Sequence, residues 1–399
     1  MSTESIRGLV TRLESLNEEQ ELTKAHVEHP EDLVFQSGGQ GAQQGLQAIV
    51  DTVKNPGAIT IKWDGYPALI FGTGIDGRFI VCDKHMFNKK DGSGHVTSPE
   101  AFAAYDRARG IERGDLVNII ARIWPGLKKS YSGKGFYWGD LLFSQPLQEE
   151  NGLYTFKANP NGIKYTVEAE GNEIGQLIRG KVGGIAVHQY IPPEADNVQY
   201  AQLLNGSIGQ LKNNSNVAII PAKMPIVPKL KLNKTMIAKT QREIDKNKAA
   251  ADAFILRVPP GVKTVFPLMC TVFINKKIVA GNLDNLVEEF VEFAKARKMT
   301  EPVYKKLFGY DIQDPEGNIE HVPGHFDTNS AGITAAFAIW IALYNLKMQV
   351  VPQLDAAAEA SPVKGYLADG TQTQEGFVSH GIKLINRMGF SRQNLAARG

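Results

Sequence analysis

The sequence predicts an α+β fold, with mainly antiparallel sheets, helices outside them and a helical insertion. Three observations predict it. Outside a helical stretch over 99–124, residues 58–191 hold a series of short β-patterned runs separated by Gly, Pro, Asn and Asp. Helical periodicity then takes over at about 234–256, 283–298 and 330–347. Residues 374–387 return to strand character. The expected organisation is a core over 1–204, a mostly helical insertion over 205–370 that is basic at its start, and a return to the core over 371–399.

Composition sets the class. The chain has 399 residues, 43% hydrophobic and 22% charged, enough for one large core or two ordinary ones. Two cysteines, Cys82 and Cys270, give no disulfide framework, so a reducing, cytoplasmic compartment is expected. The polar N-terminus shows no signal peptide. The apolar run over 331–346 is interrupted by Thr334 and Asn345, which predicts a buried helix and no membrane partner. Net charge is only +2, but residues 212–248 hold nine Lys/Arg against Glu243 and Asp245, a local +7. That suits a polyanionic partner, or else a solvated helix face.

In chain order, residues 3–20 read as a charged amphipathic helix and 29–35 as a turn into a short extended segment. Gly38-Gly39-Gln40-Gly41 leads into a helix over about 42–54, with Ala42, Leu46, Ile49, Val50 and Val53 on one face. In the strand that follows, Ile59 and Ile61 alternate with Thr60 and Lys62. A turn on Asp64-Gly65 and Pro67 comes next. The run Gly72-x-Gly74-x-x-Gly77 matches the dinucleotide fingerprint, but Arg78 to Cys82 reads as a strand where that fingerprint needs a helix, so a hairpin turn is predicted. Residues 83–90 form a basic exit from that strand, and 99–124 read as helix. Strands are predicted over 136–143, at 154–157 and 162–167 as a hairpin over 159–161, and over 181–191. His321, His325 and Asp327 superficially suggest a metal cluster, but Pro323 and Gly324 favour a loop.

The chemistry centres on Lys62-Trp63-Asp64-Gly65. A lysine at a strand end beside an aspartate and a glycine can serve as a covalent nucleophile, since a neutral amine attacks phosphorus and glycine lets a phosphate approach the backbone. Next come Gly139-Asp140-Leu141-Leu142, the strand at 183–190, Glu375-Gly376-Phe377-Val378 and Lys383-Leu384-Ile385. In that order they resemble motifs I, III, IIIa, IV and V of the covalent nucleotidyltransferases, which include ATP-dependent DNA ligases, RNA ligases and mRNA capping enzymes. The chain is also similar to ligase-like proteins of large tailed phages, through Glu31 to Val34, Phe87 to Lys89, the strand ending in Phe143, and the tail from Lys383 to Phe390.

The resemblance implies two mainly antiparallel sheets forming an ATP-grasping cleft, in host cytoplasm if the protein is phage-encoded. Lys62 would attack the α-phosphorus of ATP, leaving a lysyl-N-AMP, with Asp64 and Lys383 also in the catalytic set. Gly65, Lys84, Asp140, His188, Glu375, Lys383 and Arg387 would complete the nucleotide site around Lys62. Glu375 and Asp140 would serve a Mg2+ or Mn2+ ion. Asp140 stands where the family has a longer glutamate, and Arg387 is the nearest cation to the place of a second motif V lysine. In an alternative register, residues 183–187 are motif IV and Lys229 and Lys231 are motif V. Twelve residues follow Arg387 in this sequence, so no C-terminal oligonucleotide-binding barrel is expected. The expected activity is ATP-dependent joining of nucleic acid ends, RNA ahead of DNA, by a monomer. The alternatives are an ATP-dependent DNA ligase, a capping-type guanylyltransferase, or a nucleic-acid-binding scaffold without the chemistry.

Overall fold

Among the described residues the first helix is the kinked α1 (Leu33–Lys54). The protein is seen here as a computed structural model that describes residues 27–391, except 159–161, 260, 261, 264, 265, 298, 368, 374 and 375. The helix expected over 3–20 lies outside these residues. The extended segment expected over 29–35 is instead helical from Leu33, because Val34 and Phe35 are buried and the Phe35 ring meets Phe337 at 5.4 Å. The glycine run marks the kink. Gly38 has φ +57°, and a Cβ there would lie 2.1 Å from Asp252 Oδ1, which accepts the Gly39 N–H at 2.7 Å.

The strands β1 (Thr60–Ile61), β2 (Ala68–Thr73) and β3 (Phe79–Cys82) follow, with β2 and β3 forming the predicted hairpin. The helix expected over 99–124 is two helices. After the short α2 (Lys84–Phe87) come α3 (Pro99–Ala108) and α4 (Gly114–Ser130). Arg109 and Arg113 fold back onto the buried Asp106 between them, and this ion cluster turns the chain. Next are β4 (Gly135–Phe143), β5 (Glu149–Glu150), β6 (Leu153–Phe156), β7 (Lys164–Glu168), α5 (Glu173–Ile178), β8 (Gly183–Ile191), β9 (Gln202–Leu203) and β10 (Val217–Pro221).

A run of helices then comprises α6 (Lys234–Ile255), α7 (Phe266–Ala280), α8 (Leu286–Lys295) and α9 (Glu301–Phe308). The hairpin β11 (Tyr310–Gln313) and β12 (Ile319–Val322) precedes α10 (His325–Thr328), α11 (Ser330–Lys347) and α12 (Val351–Glu359). The chain returns through β13 (Val363–Tyr366), β14 (Gln372–Thr373), β15 (Phe377–Ser379) and β16 (Ile382–Leu384).

The architecture is α+β with open sheets, mostly antiparallel. The central sheet runs β10-β8-β4-β2-β3, with β9 added on β8. Helix α4 covers one face through Ile120, Ile123 and Leu127. On the other, Trp63, Leu142, Ala186 and Ile220 pack with Tyr165 and Val167 of a second sheet, β14-β13-β7-β6-β5. A third sheet, β1-β15-β16, rests on the helical core through Ile61, Phe377, Ile382 and Leu384.

The boundaries of the helical insertion shift accordingly. Val217–Pro221 pairs in parallel with β8, and Val363–Tyr366 pairs with β7, so both ends of the expected 205–370 insertion belong to sheets. Within it, α11 has the length and composition to cross a membrane, but it packs as a core helix between α6 and α1, with Trp340 and Leu343 fully buried.

Candidate functional site

The third sheet and the central sheet face each other across a cavity of about 240 Å³. Alternation explains the first wall. Ile382 and Leu384 point into the helical core, so Lys383 between them lines the cavity, beside Thr60 and Val378 of the paired strands. Lys62 follows β1 directly, and its backbone N–H donates to Gly376 O at 2.9 Å. Two lysines far apart in sequence thus line one cavity. The opposite wall comes from the central sheet and includes Trp138 and Asp140 on β4 and His188 and Gln189 on β8, with Asn205 beyond β9. His188 Nε2 lies 3.5 Å from Asp140 Oδ2.

The loop from Lys62 to Pro67 is pinned at several points. Asp64 Oδ2 accepts the Ile163 N–H at 2.8 Å, and the Asp64 N–H donates to the Tyr165 hydroxyl at 2.7 Å. The Trp63 ring sits 4.9 Å from Tyr165. The Tyr66 N–H donates to Leu141 O, and the Leu141 N–H to Pro67 O. Gly65 lies so close to β4 that a Cβ would come within 2.5 Å of Asp140 Cβ.

Of the residues expected at the site, Lys62, Asp140, His188 and Lys383 line the cavity. Asp64 and Gly65 do not. They hold the loop, Asp64 through Ile163 and Tyr165 and Gly65 against β4. Lys84 is also outside the lining, since it opens α2 beyond β3, the edge of the central sheet. Glu375 falls outside the described residues.

Arg387 is displaced from its expected place for a physical reason. It is 1% exposed and donates to Asp32 Oδ1 at 2.8 Å, Glu31 Oε1 at 3.3 Å and Asn275 Oδ1 at 2.8 Å. Two buried carboxylates outcompete the cavity for its guanidinium. The lysines of the alternative register lie elsewhere. Lys229 and Lys231 do not line the cavity, and the Lys231 backbone is bound on both sides by the Gln353 amide.

Sequence reasoning passed over Trp63, Trp138, Gln189 and Asn205. The indole N–H groups of Trp63 and Trp138 are buried without an acceptor among the described residues. Behind Lys383, its backbone N–H donates to Glu28 O at 2.8 Å. Burial, then the Arg387, Lys347 and Lys383 charges, hold the neighbouring His29 imidazole well below the ordinary histidine value.

An α+β protein with a two-sheet cavity carrying two lysines and a carboxylate is the class that fold and site define. Residues 24–398 match a family described as "Family of unknown function (DUF6267)", and the chain belongs to that family. No curated protein and no solved structure matches it.

Proposed function

We propose that the protein is an ATP-dependent nucleotidyltransferase of the polynucleotide ligase type, which adenylates Lys62 and passes AMP to a nucleic acid 5′-phosphate for sealing by a 3′-hydroxyl. The observation that carries this reading is the meeting of Lys62 and Lys383 in one cavity with Asp140. Phosphoryl transfer calls for an in-line nucleophile and cations around the spread phosphate charge, more than for acid–base groups. The Lys62 amine forms the N–P bond, the bond to pyrophosphate breaks, and the amine proton is released. Lys383 holds the charge of the α-phosphate. The unpartnered indole N–H groups of the wall offer donors to a bound nucleotide.

Among the described residues no group of three or more His, Cys, Asp or Glu could hold a metal. One carboxylate at the cavity, Asp140, fits a Mg2+ held largely by water and ATP phosphates, which would neutralise phosphate charge when bound. Incubation with α-labelled ATP or GTP and Mg2+, followed by denaturing electrophoresis, tests the reading. A covalent band with ATP is expected, and no band with either nucleotide would refute it.

Lys383→Met should lower the rate of adenylation by about a hundredfold, the usual scale for removing one preorganised electrostatic contact. Changing Lys229 and Lys231 together to methionine should leave it within a factor of about two. The reverse pattern, read from the initial rate of band formation, would reinstate the register based on Lys229 and Lys231.

The nucleic acid is assigned to the outer face of α6. Lys239, Arg242 and Lys246 recur at helical spacing and are exposed, with the exposed Lys234 at the start of the helix, while Asp245 is paired with Lys248. Reversing Lys234, Lys239, Arg242 and Lys246 to glutamate should weaken single-strand binding. It should also flatten the log–log salt dependence, by about 0.7 per lost phosphate contact. Self-adenylation should be unchanged. Unaltered affinity and slope would leave this face as a solvated surface.

A further inference from the structure

The wall of the cavity built by β8 carries a bulge at His188. Trp138 pairs with Gln189 and Gly139 with Val187, so His188 is an extra residue in β8 with no partner across β4. Such a bulge breaks the alternation of a strand and re-aims its side chains. Its effect here is that His188 and Gln189, neighbours that an unbroken strand would send to opposite faces, both line the cavity. The strand β9 holds the bulge from outside, with the Leu204 N–H donating to His188 O at 3.0 Å and Leu203 paired with Gln189.

Gln189 is 6% exposed and lines the cavity. A buried amide usually has its hydrogen bonds filled, so one at a cavity wall is available to what the cavity binds. Asn205 adds a second amide to the lining from a backbone with φ +48°, a conformation that asparagine tolerates better than most residues. The cations lie on the facing wall, which separates a phosphate side from an amide side.

We propose that Gln189 reads the base of the bound nucleotide, its amide pairing with the exocyclic amino group and adjacent ring nitrogen of adenine. An amide offers one acceptor and one donor side by side, the complement of that edge. The inference rests on the nucleotide reading above, and its test is built to fail separately from it.

The test is direct equilibrium binding, without turnover, of ATP and of purine riboside 5′-triphosphate, which lacks the 6-amino group, to the full chain and two variants. The wild type should bind ATP about tenfold more tightly than the deaminated analogue, the scale of one neutral hydrogen bond in a site built for it. Gln189→Leu should weaken ATP binding and close that gap. Gln189→Glu keeps the acceptor for the amino group and removes the donor. It should retain the gap while weakening both ligands, which guards against a Gln189→Leu variant that merely misfolds. A gap that persists in Gln189→Leu overturns the role of Gln189 while leaving the nucleotide site standing. If the wild type binds neither triphosphate, both the site and this inference fall.

Discussion

Lys62→Ala should abolish covalent labelling by α-labelled ATP, and Lys62→Arg should abolish it as completely. The alanine variant removes the attacking nitrogen. The arginine variant keeps a cation at the same loop position but presents a guanidinium that stays protonated and cannot attack phosphorus. Loss of a covalent nucleophile elsewhere costs several orders of magnitude, so a drop of at least about a thousandfold is expected. The loop should stay in place, because its anchors are Asp64 on the Ile163 N–H, Tyr66 on Leu141 O and Gly65 against β4. Non-covalent ATP binding should therefore survive in Lys62→Ala, weakened by the loss of one charge. A labelled band that persists in Lys62→Ala would transfer the nucleophile to another residue. Loss of ATP binding together with the label would show that the variant has disturbed the cavity itself.

Much of the β framework was legible because its signals are local. The strands at β4, β8, β15 and β16 follow from two-residue alternation or apolar runs between turns, and the helix predicted at 330–347 falls on α11 with the same limits. Lys383 stands out through the resemblance to motif V, and the apolar Ile382 and Leu384 on either side turn it to the cavity. Three features escaped for identifiable reasons. Val217–Pro221 is a short apolar run in a proline-rich stretch, and only its parallel pairing with β8 makes it a strand. Helix α7 buries one face through Phe266, Cys270, Phe273, Ile274 and Ile278, but Leu268, Val272 and Val279 lie off that face and Lys277 lies on it, so the sequence shows no clear stripe. The bulge at His188 depends on the partner strand, so nothing in β8 alone announces that Gln189 turns into the cavity. Arg387 shows the same limit for charge. Its partners Glu31 and Asp32 lie at the other end of the chain.

That buried network carries the second large expectation. Glu31, Asp32, Lys347 and Arg387 are each at most 1% exposed, and the network also takes in the Trp340 indole N–H, which donates to Asp32 Oδ1 at 2.7 Å. Lys347 Nζ pairs with Glu31 Oε1, which Arg387 also approaches. The network ties the start of α1, the end of α11 and the segment after β16 into one unit. Lys347→Met should cost about 3–5 kcal/mol of folding stability, because it leaves Glu31 buried with only the longer contact to Arg387. The paired change Glu31→Gln with Lys347→Met removes both charges and should recover more than half of that loss, since a neutral pair carries no stranded ion. Urea unfolding followed by tryptophan fluorescence reads both values, with Trp340 as an internal reporter of the network. If Lys347→Met costs less than about 1 kcal/mol, or the paired change costs the sum of its parts, the charges do not act as a unit. Arg387 lies four residues beyond Lys383, on the same segment. A destabilised but folded Lys347→Met protein should therefore adenylate more slowly than the paired variant at equal concentrations of folded protein.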